Sequence, residues 1–408
     1  MALWRLAWIK MGESQGVLPS QEIRKLIEEG FIKSKSEIQK PNSASLDLTL
    51  GTEVFRLKSS ALLESGDLGE NIVFKMDAAK GPVLLEPGVT YLMKIRERMN
   101  IPEWLRCYSN PKSTSGRLDV LARLVGKGSR RYDSLEAGFR GELFLEVRPQ
   151  FFPVVISEPG ISLNQIRFFR GDSDMNETAI RAMHAVYPLV FSVDKIPLTD
   201  EELVIHKIGT GKPGIIFTLD LKNGDSKGIV GYKARRQSAP IVLRAGSKIP
   251  MSQRLDYNDY FEPIYATQKG ELDLEPGGFY ILATKERVRL PKILCATLVT
   301  QDVTMSDYLR THFAGFFDPY WGEHNLLKGN EIIHNENKSN GKPITLEVRV
   351  LGDQHHKVID GQEVSKAIID HMAAVPDEVY GLIKGKGMVR SNYNLQEGAT
   401  LAKYFKPD

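Results

Sequence analysis

Leu85-Glu86-Pro87-Gly88, followed by Tyr91, Glu97-Arg98 and Pro102, returns in the second half of the chain as Leu274-Glu275-Pro276-Gly277, Tyr280, Glu286-Arg287 and Pro291. Leu145-Glu146-Val147-Arg148 returns as Leu346-Glu347-Val348-Arg349, and Ser45-Leu46-Asp47-Leu48 has an echo in Thr218-Leu219-Asp220-Leu221. Chance gives one such match; an ordered series running through both halves is a duplication, and it fixes the architecture before any single element is assigned. Within each copy, short alternating apolar and polar segments are separated by Gly, Pro and Asn. Ser45–Leu50 before Gly51, with Val54–Leu57 as its expected hairpin partner, is an example. Such texture predicts a mainly β fold, barrel or sandwich, rather than βαβ units.

Working outward, 408 residues are more than one core comfortably holds, in keeping with two domains. Helical patterns are few. Ser20 is placed to cap a helix through Gln21–Ile27 that ends near Gly30, Ser173–Tyr187 reads as a helical linker stopped by Pro188, and Val364–Met372 reads as a helix. The expected division is an N-terminal extension over 1–16, a first β domain over 17–172, and a linker over 173–200. A second, diverged β domain over 201–388 and a polar tail over 389–408 follow. Met1–Lys10 is apolar with two tryptophans but too short for a signal peptide, and Met11 follows it closely, which suggests a start codon placed too far upstream. Cys107 and Cys295 stand far apart, as expected of a protein in the reducing cytoplasm. No apolar run is long enough to span a bilayer, and a net charge of +3 is too small for a general nucleic-acid binder.

The chemistry concentrates in Asn110-Pro111-Lys112-Ser113-Thr114-Ser115-Gly116-Arg117-Leu118-Asp119. Two cations and three hydroxyls between Pro111 and Arg117 suit a loop that holds polyanionic oxygens by charge-assisted hydrogen bonds. Arg123, Lys127, Arg130 and Arg131 extend the positive charge, enough to offset the roughly four charges of a triphosphate. Glu146 interrupts an apolar strand, where an unpaired carboxylate is costly. Taken alone, the loop could equally be a solvated turn, and Glu146 a partner for Arg148; the recurrence at Glu347 would also fit a structural role in both copies. The second copy has Gln301–Ser306 in place of the cationic loop, then Phe317–Gly322 and a polar insertion from Glu323 to Lys342. Two motif matches fail on context. Gly209–Gly214 fits G-x-G-x-x-G but runs into the strand-like Ile215–Leu219, so it reads as a hairpin loop and not a dinucleotide site. His334-Asn335-Glu336 fits half of a zinc deaminase motif, but the paired cysteines are missing and its polar surroundings read as a solvated loop, so no zinc is expected.

Lys112–Asp119, Glu136-Ala137-Gly138-Phe139-Arg140-Gly141 and Leu145-Glu146 resemble the second and third motifs of the dCTP deaminase/dUTPase family. The whole chain is similar to the double-length bacterial 2′-deoxycytidine 5′-triphosphate deaminases. Ser45–Leu48 is similar to the first motif, Ser162–Ile166 to the fourth, and Ser391–Thr400 to the C-terminal motif that closes over the phosphates. The resemblance implies tandem, distorted, jelly-roll-like β-barrels of the dUTPase type, assembled as a homotrimer with sites between subunits. It implies hydrolysis of dCTP to dUTP and ammonia, with Glu146, Ser113 and Arg117 as the catalytic residues and Glu146 the general base. Lys112, Ser113, Thr114, Arg117, Glu136, Phe139, Gln165, Tyr393 and Gln396 would bind substrate. Mg²⁺ would enter only as the counterion of the triphosphate, with no metal held by the protein. Glu136 stands where the family commonly has Asp, and Asn392 where it commonly has Lys. Asp318 matches that Asp if Asp318-Pro319-Tyr320-Trp321 is aligned with the third motif, which leaves open a composite site with its grip from one copy and its acid from the other. A site built from first copies alone is the preferred expectation, because a three-fold ring cannot alternate two kinds of domain evenly. A dUTPase, a bifunctional deaminase/dUTP diphosphatase and a non-catalytic nucleotide-binding protein are the alternatives.

Overall fold

A computed structural model describes residues 14–62, 69–207, 211–246, 249–299, 308–311, 314–323, 325–328, 331–334, 339–380, 393 and 396–406. The N-terminal extension as far as residue 13, Gln301–Ser306 and Asn392 therefore lie outside the described residues. None of the described helices is long and apolar enough to cross a membrane.

Each copy is a pair of antiparallel sheets. In the first, one sheet runs Gly16–Val17, Asn164–Arg170, Leu105–Pro111, Ser134–Leu135, with Leu46–Leu48 also on Asn164–Arg170. The other runs Ile72–Asp77, Leu50–Leu57, Tyr91–Asn100, Arg140–Pro149, Val120–Gly126, with Ile32–Lys33 added to Tyr91–Asn100. The second copy repeats the scheme, with Phe279–Val288 beside Lys342–Val350 and Leu294–Val299 beside Glu363–His371. The duplication reaches single hydrogen bonds. Thr49 gives its N–H and hydroxyl to Glu97 (2.9 and 2.7 Å), as Thr218 does to Glu286 (2.7 and 2.6 Å). The Tyr91 hydroxyl accepts from the Glu86 amide (3.1 Å) as the Tyr280 hydroxyl does from Glu275 (2.8 Å). Thr218 is thus the counterpart of Thr49, and the echo of Ser45–Leu48 read in Thr218–Leu221 is out of register.

The two copies share a core. Ile229, Phe261, Phe279 and Ile281 of the second pack with Phe152, Val154 and Leu85 of the first. Val154–Ile156 pairs in parallel with Ile241–Leu243 and antiparallel with Val83–Leu85, making one small sheet from both copies. Val17 also forms a parallel bridge to Met372.

Several expectations need correction. Val364–Met372 is not helical: Glu363–His371 is a strand, the counterpart of Asn164–Arg170. Nearly all of it is buried, so the alternation that marks a half-exposed strand is lost and its Lys and Ala imitate helix composition. Leu46–Leu48 and Leu50–Leu57 do not form a hairpin; they belong to different sheets, with Thr49 between them held by Glu97. At Ser20 the residue in the capping position is Pro19; Ser20 opens the helix Ser20–Glu28 and its hydroxyl donates to Asp377 Oδ1 (2.5 Å). The insertion is a two-stranded ribbon, Asn325–Lys328 on Glu331–His334, so His334 ends a strand and is not in an open loop. The linker helix is Glu177–Val186, capped by Asn176, whose side chain accepts from the Ala179 amide (2.9 Å). Gly214–Thr218 pairs back on Ile205–His206, the hairpin that the glycine-rich stretch implied.

Candidate active site

The cationic stretch follows the strand Leu105–Pro111. Lys112 is extended, and Ser113–Gly116 makes a single helical turn closed by Gly116 N–H to Lys112 O and Arg117 N–H to Ser113 O (3.0 Å each). The turn is tied to the fourth motif through Lys112 N–H and the Ser115 hydroxyl, both donating to Leu163 O (3.0 and 2.9 Å). Lys112 pairs with Asp47, which also accepts from Asn42 (3.2 Å). The Thr114 hydroxyl meets the Tyr393 hydroxyl at 3.0 Å. Arg117 is buried beneath the C-terminal tail. Its guanidinium donates to Thr400 O (2.7 Å) and Gln396 Oε1 (2.8 Å) and stacks 3.8 Å from the centre of the Tyr393 ring. Its Nε has no acceptor among the described residues. Burial lowers the proton affinity of the guanidinium, while Tyr393 and Glu347 oppose that shift.

What faces this turn comes from the second copy. Glu347, 2% exposed on the strand Lys342–Val350, stands so close to Gly116 that a Cβ there would overlap its carboxylate. The Glu347 carboxylate accepts from the Ala314 amide (3.0 Å), and the next amide, Gly315, donates to Asn110 Oδ1 (2.6 Å) at the start of the cationic stretch. Gln396 ties the tail to the same strand by donating to Pro343 O (2.6 Å). Asp318 is fixed by the first copy. Fully buried Arg167 donates to Asp318 Oδ1 (2.9 Å), Phe317 O (2.8 Å) and Ala296 O (2.8 Å) and lies 4.1 Å from the Phe316 ring centre.

A cavity of about 580 Å³ opens here, in the range of small-molecule sites. Lys112, Ser113, Thr114 and Gln165 line it from the first copy, and Phe316, Asp318 and Tyr393 from the rest of the chain. Tyr393 thus stands between the cavity and Arg117. Arg244 and Lys403 add positive charge to its wall, whereas Lys40 pairs there with Glu378 (2.6 Å); burial, then the nearby Lys112, pulls the Lys403 ammonium down to about 8. Among the described residues no group of three His, Cys, Asp or Glu could hold a metal ion.

Of the residues named from the sequence, Lys112, Ser113, Thr114, Arg117, Gln165, Tyr393 and Gln396 come together; Glu146, Glu136 and Phe139 do not join them. Glu146 is 5% exposed and accepts from the Ser60 hydroxyl (2.8 and 2.9 Å to its two oxygens) and from Tyr132 (3.2 Å). Next to it Arg123 pairs with Asp133, whose carboxyl burial pushes up to about 6. Glu136 is exposed at a turn, and the Phe139 ring lies against Gly126 and Gly141. The face of the turn that a Glu146 would have to reach is filled by Glu347 of the same chain, so unlike copies meet where like copies were expected. Arg123, Lys127, Arg130 and Arg131 are likewise absent from the cavity wall, and Arg244 and Lys403, unremarked in the sequence, take that place. By strand pairing Leu135 sits opposite Cys107 as Phe317 does opposite Ala296, so Asp318 occupies the place of Glu136.

Residues 14–172 match the family model for the N-terminal domain of 2′-deoxycytidine 5′-triphosphate deaminase, and residues 176–405 the model for its C-terminal domain. The chain belongs to the 2′-deoxycytidine 5′-triphosphate deaminase family. The two family models part between the strand Asn164–Arg170 and the helix Glu177–Val186. The crystal structure of 2′-deoxycytidine 5′-triphosphate deaminase from Agrobacterium tumefaciens is similar over 89% of this chain and 97% of its own, at 29% identity and a TM-score of 0.76. A comparison with curated protein sequences finds no match. The deaminase fold is here a mainly β tandem, and the described cleft lies where its two halves meet.

Proposed function

We propose that this family member hydrolyses dCTP to dUTP and ammonia in the cleft between its copies, with Glu347 as the general base. The single observation that carries the assignment is the contact between Glu347 and the Gly116–Arg117 end of the turn. It supports a carboxylate and a phosphate-holding loop within reach of one nucleotide, which Glu146 does not offer.

In this reading Lys112, Ser113 and Thr114 hold the triphosphate from the cavity side, aided by Lys403, and Mg²⁺ arrives as counterion of the phosphates. Asp318, held by Arg167, is the carboxylate that faces the sugar. Glu347 takes a proton from water as the oxygen bonds to C4 and delivers it to N3. The remaining hydroxyl proton then passes by the same carboxylate to the exocyclic nitrogen, which leaves as ammonia while C4 becomes a carbonyl. Arg117 supplies positive charge next to the developing oxyanion, and its unpartnered Nε is a donor available to the reacting pyrimidine. Gln396 and Thr400 now engage the other guanidinium nitrogens, so substrate entry includes a readjustment of the tail.

The test is Glu347→Gln against Glu146→Gln, assayed for ammonia and dUTP with Mg²⁺ and dCTP present. Glu347→Gln should lose ~10²–10⁴-fold in kcat while still binding dCTP, and Glu146→Gln should turn over within about threefold of wild type. The reverse ranking would return the base to position 146. Pyrophosphate release accompanying ammonia would identify the bifunctional alternative.

A further inference from the structure

The turn ends at Asp119, whose φ of +54° lies in the left-handed region that side chains other than Gly, Asn and Asp adopt at a cost. Asp119 is wholly buried, and its backbone carbonyl accepts from the Gln150 amide (2.8 Å). One carboxylate oxygen pairs with Arg349 of the second copy; the other has no hydrogen-bond partner among the described residues. Arg349 follows Glu347 by two positions on one strand, so both side chains leave the same face of the sheet. Arg117 and Asp119 are likewise two positions apart. A cation and an anion on the turn therefore meet an anion and a cation on the strand.

We propose that Asp119 and Arg349 are positioning residues, a charge clasp that sets the strand Lys342–Val350 in register against the turn so that Glu347 arrives at Gly116 and Arg117. The clasp has a direction. Val120 pairs with Pro149 as Leu309 pairs with Val350, so the second copy's counterpart of Asp119 is Tyr308, which is exposed and carries no charge to offer Arg148. The turn of the first copy with the strand of the second has both halves of the key; the turn of the second copy lacks its carboxylate. The left-handed backbone at position 119 fits this role, because it turns the carboxylate out of the first copy's own strand and toward its neighbour.

The charged groups facing Asp119 are Arg349, Arg310 and Glu347 of the second copy. Burial pushes the carboxyl up to about 7 in spite of the two arginines. The ion pair is therefore complete above that pH and weakens below it, so kcat should climb through neutrality as Asp119 ionises.

The proposal rests on Glu347 as the base, and the experiment separates the two. Wild type, Asp119→Asn, Asp119→Gly and Arg349→Gln are compared as full-length protein for kcat and KM with dCTP from about pH 6 to pH 9, with a thermal scan of each. Asn and Gly keep the backbone conformation while removing the charge, and Arg349→Gln leaves position 119 untouched should either of them fail to fold. The expected result is a loss of at least about tenfold in kcat with KM changed by less than about threefold. The neutral-pH limb should vanish in Asp119→Asn, and Asp119→Asn/Arg349→Gln should be no worse than the weaker single variant. Folded variants with wild-type kcat and an unchanged pH profile would overturn the clasp, as would additive losses in the double variant. If Glu347→Gln itself turned over normally, the base assignment would fall whatever Asp119 does.

Discussion

Gly116→Ala puts the central contact under direct load. Gly116 lies in a helical turn with no positive φ, so alanine is not opposed by the backbone and should favour the turn by about 0.5–1 kcal/mol. Against that, the new methyl overlaps the Glu347 carboxylate, the far end of a flexible side chain that can swing aside. Moving it breaks the charge-assisted bond from the Ala314 amide, worth about 1.5–3 kcal/mol. The net cost to folding is then about 1–2 kcal/mol, small enough that the protein stays folded. With Glu347 as the proposed base, the cost to turnover is larger, because displacing a catalytic group by about 1 Å can remove ~10²-fold in rate. The assay is kcat and KM for dCTP beside a denaturant titration. The expected outcome is kcat down by about 100-fold, KM little changed and a modest loss of stability. In a Glu347→Ala background the same substitution should be neutral or slightly stabilising, since the three nearest atoms it meets all belong to the Glu347 carboxylate. Wild-type turnover by Gly116→Ala would refute the reasoning, because it would mean that the carboxylate can leave the turn without consequence.

Other outcomes follow from the same geometry. Arg167→Met should destabilise the protein by about 3–5 kcal/mol in a denaturant titration, because it leaves the Asp318 carboxylate buried without its partner. Thr114→Val removes the hydroxyl that meets Tyr393 and should raise KM for dCTP more than it lowers kcat, as measured by initial rates. Lys403 is charged below about pH 8 and neutral above it, so KM for dCTP should rise as the pH passes through that value; Lys403→Met should flatten the profile. A KM independent of pH in the wild type would remove Lys403 from the proposed phosphate site.

The duplication was legible because it is carried by paired features that the fold needs twice, such as the Glu97–Thr49 and Glu286–Thr218 bonds. The cationic turn was legible as a cluster of hydroxyls and cations between Pro111 and Arg117, and Lys112, Ser113 and Thr114 of it line the cavity; composition alone did not separate that from a solvated turn. What the sequence could not convey was which carboxylate faces it. Glu146 and Glu347 sit in nearly identical strand contexts, and only the packing of one copy on the other tells them apart. Asp318, already the better match to the motif, pointed the same way, but the symmetry of a ring of like domains outweighed it. Asp119 had no legible role of its own, because the one proposed for it comes from a backbone angle and a partner 230 positions away, neither visible in local pattern. The strand Glu363–His371 was misread for the opposite reason: burial on both faces erased the period that would have revealed it.

The parallel pairing of Val154–Ile156 with Ile241–Leu243 also bears on how the enzyme behaves when scarce. Catalytic pockets assembled from separate polypeptides dissolve when protein concentration drops below the dissociation constant of the pieces. Both walls of the proposed site belong to one covalent chain, so their local concentration is set by the tether and not by abundance. Specific activity should accordingly hold steady on serial dilution, down to levels where an obligate assembly would have come apart.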